Sequence, residues 1–189
     1  MIIAIKEKDA VVIAYSNDGS CDALTDLDRI DEENVAIRFS ETGATFAAAV
    51  ENRQAEILLY DDEFLKMEVT AKNIVREMIP YIKNKCDGKG MLYRKKDKWD
   101  NALVICRDGR LYDVDRTLRF YEADDYVCHG YDADTFESVL DLTAGLPAKE
   151  RILKAVRFFC KLHKENLFPF VITDTKTKKF EYIYEGENK

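Results

Sequence analysis

The chain has 189 residues, 47% hydrophobic and 34% charged, which is the make-up of a folded globular protein and excludes a disordered or membrane-embedded one. Its net charge of −7 argues against nucleic acid or an anionic membrane as partner, because phosphate recognition relies on clustered Lys and Arg. No apolar run approaches the roughly 20 residues that span a bilayer. The chain opens with Met1-Ile2-Ile3-Ala4-Ile5 and Val11 to Tyr15, two β-branched runs around the charged Lys6-Glu7-Lys8-Asp9, which predict a hairpin beginning at the first residues.

Charges at positions 6 to 9 exclude a secretory signal there. The five cysteines (Cys21, Cys86, Cys106, Cys128 and Cys160) are odd in number and scattered, so free thiols in a cytoplasmic protein are expected. With 3 prolines, 8 glycines and no Ser/Pro-rich run, nothing marks a linker, and residues 1–189 are expected to form a single domain.

After a polar turn at Ser16 to Ser20 and a loop with a short strand around Asp26 to Ile30, Val35, Ile37 and Phe39 alternate as a third strand. From Thr42 the spacing of Phe46, Ala49, Val50, Ile57 and Leu58 predicts a helix ending near Tyr60. A second helix follows, capped by Thr70, with an apolar stripe of Ile74, Val75, Met78, Ile79 and Ile82 and a kink expected from Pro80. The basic cluster from Lys89 to Lys96 reads as a solvated loop. Asn101 to Cys106 and Arg110 to Val114 flank Arg107-Asp108-Gly109 as a hairpin with a type I′ turn. One more strand ends at Tyr126-Val127-Cys128 and breaks at His129-Gly130. Two helices follow, Ala133 to Thr143 and Ala148 to Lys164, the second with Pro147 in its first turn and Ile152, Val156, Phe159, Cys160 and His163 inward. Phe170 to Thr173 and Phe180 to Tyr184 close the chain as a hairpin. Two groups of strands and two pairs of helices suit a four-layer sandwich, and an ordinary α+β domain equally well.

Three stretches, in order, carry a resemblance. Lys6-Glu7-Lys8-Asp9-Ala10-Val11-Val12-Ile13-Ala14 is similar to the first hairpin of the proteasome β-subunit and HslV family of N-terminal nucleophile hydrolases. Glu41-Thr42-Gly43-Ala44-Thr45-Phe46 resembles that family's Gly-rich entry to its first long helix, and Cys128-His129-Gly130-Tyr131-Asp132 its Gly-Ser-Gly turn before the third helix. The resemblance covers nearly the whole chain and implies an α+β, four-layer αββα sandwich. In the family, an N-terminal Thr attacks a peptide carbonyl and its own α-amine accepts the proton, with a Lys and an Asp tuning the pair.

Matched on Lys8-Asp9, the nucleophile falls one residue before Met1, and Met1 takes the place of the residue after it. Loss of Met1 would expose Ile2, which has no hydroxyl or thiol. The family's Asp falls near Ser16, its Lys on Arg29, and its turn Ser near His129-Gly130. Arg29 keeps its charge at all ordinary pH values and cannot replace a tunable amine.

The resemblance therefore implies a catalytically inactive member, a structural or interaction subunit of a homo-oligomer or of an assembly with related subunits. Met1, Ser16, Arg29, His129 and Gly130 are its degenerate site positions. The alternative is a hydrolase with a displaced nucleophile, Cys21, or with an N-terminal extension that supplies one. A peptide or small molecule could occupy the vestigial cleft. No cofactor is expected, and no metal, since Cys160 and His163 alone cannot fill a zinc shell.

Overall fold

The computed structural model describes residues 1–16, 35–49, 56–87, 102–115, 117–130 and 132–186. Strands β1 (Ile2–Glu7) and β2 (Ala10–Tyr15) form the expected opening hairpin, with Ile2 opposite Tyr15 and Glu7 opposite Ala10. β3 (Ile37–Phe39) and β4 (Thr45–Ala49) follow. β5 (Ala102–Arg107) and β6 (Arg110–Val114) turn at Asp108 and Gly109, whose φ of 51° and 73° are the two left-handed residues that a type I′ turn requires. The remaining strands are β7 (Phe120–Ala123), β8 (Tyr126–His129), β9 (Phe170–Asp174) and β10 (Glu181–Ile183).

Among the described residues they pair as two antiparallel five-stranded sheets, a first in the order β10-β9-β2-β1-β8 and a second in the order β3-β4-β5-β6-β7. Helices cover both outer faces. On the second sheet lie α1 (Glu56–Leu59), α2 (Asp62–Leu65) and a long segment made of α3 (Ala71–Asn73), a π turn (Ile74–Met78) and α4 (Ile79–Asp87). On the first lie α5 (Ala133–Leu142) and α6 (Ala148–His163). This is the αββα sandwich expected from the sequence.

Alternation sorts β1 between two cores. Ile2 and Ala4 face the second sheet with Val11 and Ile13, while Ile3 and Ile5 face the helices with Phe136, Ile152 and Phe159. Both faces are covered, so the strand reads as an unbroken apolar run rather than an alternating one. Ile2 and Ile3 are fully buried, and each contributes about 1.5–3 kcal/mol by leaving water. Phe136 and Phe159 stack at 4.8 Å between centroids and join α5 to α6.

Three expectations are corrected. The stretch expected to be helical from Thr42 holds β4 at Thr45–Ala49, and its described helix is Glu56–Leu59. β4 lies between β3 and β5, with Ala47 opposite Ile37 and Val104, and Ala47 and Ala48 are both buried. A central strand buried on both faces has no polarity alternation, and its alanines mimic a helical sequence.

The single strand expected before His129 is two strands in different sheets, since β7 pairs with β6 and β8 with β1. The chain crosses between sheets at Asp124-Asp125, where buried Arg151 of α6 donates both terminal nitrogens to Asp125 at 2.8 Å. Pro80 lies inside α4 without ending the helix, just after the π turn. The π register takes the Ile79 N–H back to the Ile74 carbonyl, so the irregularity lies before the proline rather than in the last turn. Within that helix Ile74, Met78 and Ile82 are buried as expected, and Val75 is exposed. Thr70 caps it, its hydroxyl accepting from the Asn73 N–H at 3.1 Å.

Candidate functional site

Strand registers line up one row of side chains across the first sheet. Ile2 lies opposite both His129 and Tyr15, Tyr15 opposite Val171, and Val171 opposite Tyr182. Side chains opposite one another share a face, and Ile2, Tyr15 and Val171 all belong to the core toward the second sheet. His129 therefore points into the space between the sheets at the amino-terminal end of β1. Cys128, one residue earlier, points to the helices and packs in the other core.

Met1 extends this end of the hairpin. Its amine donates to the Ser16 carbonyl at 2.9 Å, and the Ser16 N–H donates back to the Met1 carbonyl at 3.1 Å. The Met1 side chain packs on the helix side and is only 5% exposed. Ser16 is also buried, and its hydroxyl donates to the Leu167 carbonyl at 3.0 Å. Ser16, which falls where the resemblance places an aspartate, is thus a tie between β2 and the segment before β9.

His129 meets a partner from the other sheet. Its Nε2 lies 2.7 Å from Oδ1 of Asp113 on β6. Asp113 is fully buried and its other oxygen accepts from the Tyr121 hydroxyl. Tyr121 is its direct cross-strand neighbour on β7. Burial, and then the Asp113 carboxyl beside it, push the Tyr121 phenol well above its ordinary range. A buried carboxyl needs partners for both oxygens, and here the two sheets supply one each. The resulting Tyr121–Asp113–His129 chain runs from a half-exposed phenol, 48% accessible, to a largely buried imidazole. Chemically it orients His129: with Nε2 held by a carboxyl, Nδ1 is the nitrogen left for proton exchange. Gly130, at φ 130°, turns the chain out of β8 toward α5.

Of the positions expected from the sequence, Met1, Ser16, His129 and Gly130 gather at this end of the sheets. Arg29 and Cys21 lie outside the described residues. Asp113 and Tyr121 were missed. The available signal was Asp113 itself, a carboxylate sharing the inward face of β6 with Leu111, between Tyr112 and Val114.

Cys160 and His163 each contact other groups. Cys160 Sγ accepts from the Leu167 N–H at 3.5 Å. The His163 ring stacks on Phe159 at 4.5 Å, and its Nε2 sits 2.7 Å from Asp132 Oδ2, close enough for an ion pair but out of line for a hydrogen bond. Among the described residues, no group of three or more His, Cys, Asp or Glu could hold a metal ion. Nor, among them, is any helix long and apolar enough to cross a membrane.

No protein-family model matches the chain, and no curated protein is significantly similar to it in sequence. Solved structures are similar in fold. BPH from Thiobacillus denitrificans superposes with a TM-score of 0.69 at 12% identity, over 92% of this chain and 97% of that one, and it has also been solved in complex with epoxomicin. Anbu (ancestral beta-subunit) from Yersinia bercovieri gives 0.66 at 14% identity, over 99% of this chain and 88% of that one. HslV from Trypanosoma brucei gives 0.58 at 14% identity, over 92% and 97%. The fold is that of the proteasome- and HslV-like N-terminal nucleophile hydrolases.

Proposed function

We propose that this protein is a catalytically inactive, cytoplasmic member of the proteasome-like fold group that works as a structural or interaction subunit of an oligomer, self-assembled or built with related chains. The observation that carries the reading is the commitment of the site positions to the fold itself. Ser16 is tied to Leu167, His129 to Asp113, and the Met1 amine to Ser16. Peptide hydrolysis by this fold needs a hydroxyl nucleophile beside a free amine on one residue, and the described positions Met1, Ser16 and His129 offer instead a methionine, a serine bonded to a neighbouring segment and a histidine bonded to the facing sheet. Similarity in fold to Anbu, described as an ancestral beta-subunit, supports the subunit reading.

The test is the intact mass and amino-terminal sequence of the protein purified from its own host, with the same sample exposed to an epoxyketone, which reacts only with a hydroxyl and free amine on one residue. The proposal expects a Met1 or Ile2 terminus and no adduct. An amino-terminal Thr or Ser carrying the adduct would overturn it.

One observation favours a second reading, hydrolysis by a displaced nucleophile. An imidazole oriented by a buried carboxyl, as in His129–Asp113, is the base half of a nucleophilic triad. Cys21 is its proposed nucleophile. A fluorophosphonate and an iodoacetamide probe, each compared with Cys21→Ser and His129→Ala, decide it: labelling lost in both variants would establish this reading in place of the first.

A further inference from the structure

Thr45, at the start of β4, is 0% exposed and Thr173, on β9, is 2% exposed. Neither Oγ1 has a hydrogen-bond partner among the described residues. Burying a hydroxyl without a partner is costly, and polar groups in native interiors are ordinarily satisfied.

Both side chains point into the space between the sheets. Phe46 packs on Phe64 of α2, so its neighbour Thr45 points away from the helices. Thr45 shares that face with the residues opposite it, Phe39 on β3 and Cys106 on β5. Val171 belongs to the core toward the second sheet. Thr173, two residues further along β9, shares its side and lies opposite Ile13 of β2.

Contacts on either flank bring the two threonines face to face. On one flank Phe39 meets Phe180, the residue before β10, at 5.6 Å between ring centroids. On the other the β5–β6 turn touches the β1–β2 turn, where a Cβ on Gly109 would fall 3.0 Å from the Asp9 backbone. β4 lies between β3 and β5, and β9 between β10 and β2, so at this end of the sandwich β4 covers β9. Thr45 is level with Phe39, and Thr173 is level with Phe180 by extension of the Glu181–Ile172 pairing.

We propose that Thr45 and Thr173 form a binding site for a single water molecule that bridges the two sheets. Facing sheets pack about 10 Å apart, too far for two short side chains to bond directly. A water making O–H···O bonds of about 2.8 Å to each side completes the span. A threonine hydroxyl both donates and accepts, so this water satisfies both groups at once. The Cys106 thiol beside Thr45 is a third, weaker partner, and a buried water is ordinarily held by about two to four polar groups. The site lies at the hairpin-turn end of the sheets, away from Met1 and His129, and does not depend on the function proposed above.

Oxygen-17 relaxation dispersion of the full chain tests the site, because it counts long-lived waters without interference from exchanging hydroxyl protons. The Thr45→Val/Thr173→Val double variant keeps the side-chain shapes and removes both hydroxyls, and it should hold one long-lived water fewer than the wild type. Urea unfolding gives an independent measure. Each single variant takes one partner from the water and strands the other hydroxyl, so it should lower the folding equilibrium constant about fivefold. The double variant removes the whole polar group and should be no less stable than either single one. An equal count of long-lived waters in the wild type and the double variant overturns the proposal, and so do single effects that simply add. If the double variant fails to fold, a crystal structure of the wild type decides. A water within hydrogen-bond distance of both Oγ1 atoms upholds the site, and an ordered structure without one overturns it.

Discussion

Removing His129 should cost this protein more than removing the residue it holds. In His129→Ala the Asp113 carboxyl stays fully buried between the sheets and keeps only the Tyr121 hydroxyl. Breaking a buried ionisable pair from one side costs about 3–5 kcal/mol, mostly for the group left behind. Tyr121 still satisfies one oxygen, so the low end, about 3 kcal/mol, is expected. At this chain length that lowers the melting temperature by about 6–12 °C.

Asp113→Ala removes the buried group itself. Its former partners lie nearer water, with side-chain exposure of 17% at His129 and residue exposure of 48% at Tyr121. The lost hydrogen bonds and the small cavity should together cost about 2 kcal/mol. The double variant no longer contains the stranded carboxyl, so its cost should fall short of the sum of the singles by about 2 kcal/mol. Urea unfolding of the wild type and the three variants, with the slope held common, measures the cycle. Additivity within about 0.5 kcal/mol, the scatter of independent sites, would refute the argument that His129 is what makes the buried Asp113 tolerable.

Gly109 should resist substitution for two reasons acting together: its φ is +73°, and an added Cβ would come within 3.0 Å of the Asp9 backbone carbonyl carbon in the neighbouring hairpin. Gly109→Ala is expected to cost at least about 1 kcal/mol by urea unfolding, and a neutral result would mean that the two hairpin tips do not pack. Asp125 is held below the ordinary carboxylate range by its hydrogen bonds from Arg151, against the opposing effect of burial. A lowered folded-state value gives stability that is present above the unfolded pKa and lost as pH falls through the folded one. Part of the wild type's stability should therefore disappear below pH 3.8, the unperturbed value, and the corresponding loss should be smaller in Arg151→Met. Equal acid sensitivity in the two proteins would show that this pair does not titrate with folding. Burial pushes the Cys106 and Cys128 thiols well above their usual range, and thiolate is the reactive form. Peptide mapping after iodoacetamide at pH 8 should find both unmodified in the folded protein and modified in urea; labelling of either without denaturant would contradict the core assignment.

What the sequence by itself determined are the elements whose signals are local. The opening hairpin follows from β-branched runs around a charged tip, and the Asp108-Gly109 turn from residues that tolerate positive φ. The caps and apolar stripes of the helices carry no long-range information either, which is why Thr70 and the buried Ile152, Val156 and Phe159 of α6 could be read directly, while Cys160 and His163 are only partly buried. Even the place where β8 breaks, at His129-Gly130, is a local feature. The resemblance ordered these pieces into the sandwich that the structure shows.

Only the tertiary structure decided that Thr45–Ala49 is a strand, because an alanine-rich segment takes its conformation from the neighbours that bury it. It alone separated β7 from β8, since pairing partners and not composition decide which sheet a short strand joins. The contact of His129 with Asp113 belongs to the same class. Their positions in the chain imply no proximity; the pair exists because β6 and β8 lie in facing sheets, with both side chains on the inward side of their pleats. The two residues are 16 apart in sequence, but they meet only because the chain crosses from one sheet to the other between them, so the cause of the contact lies in the packed sheets.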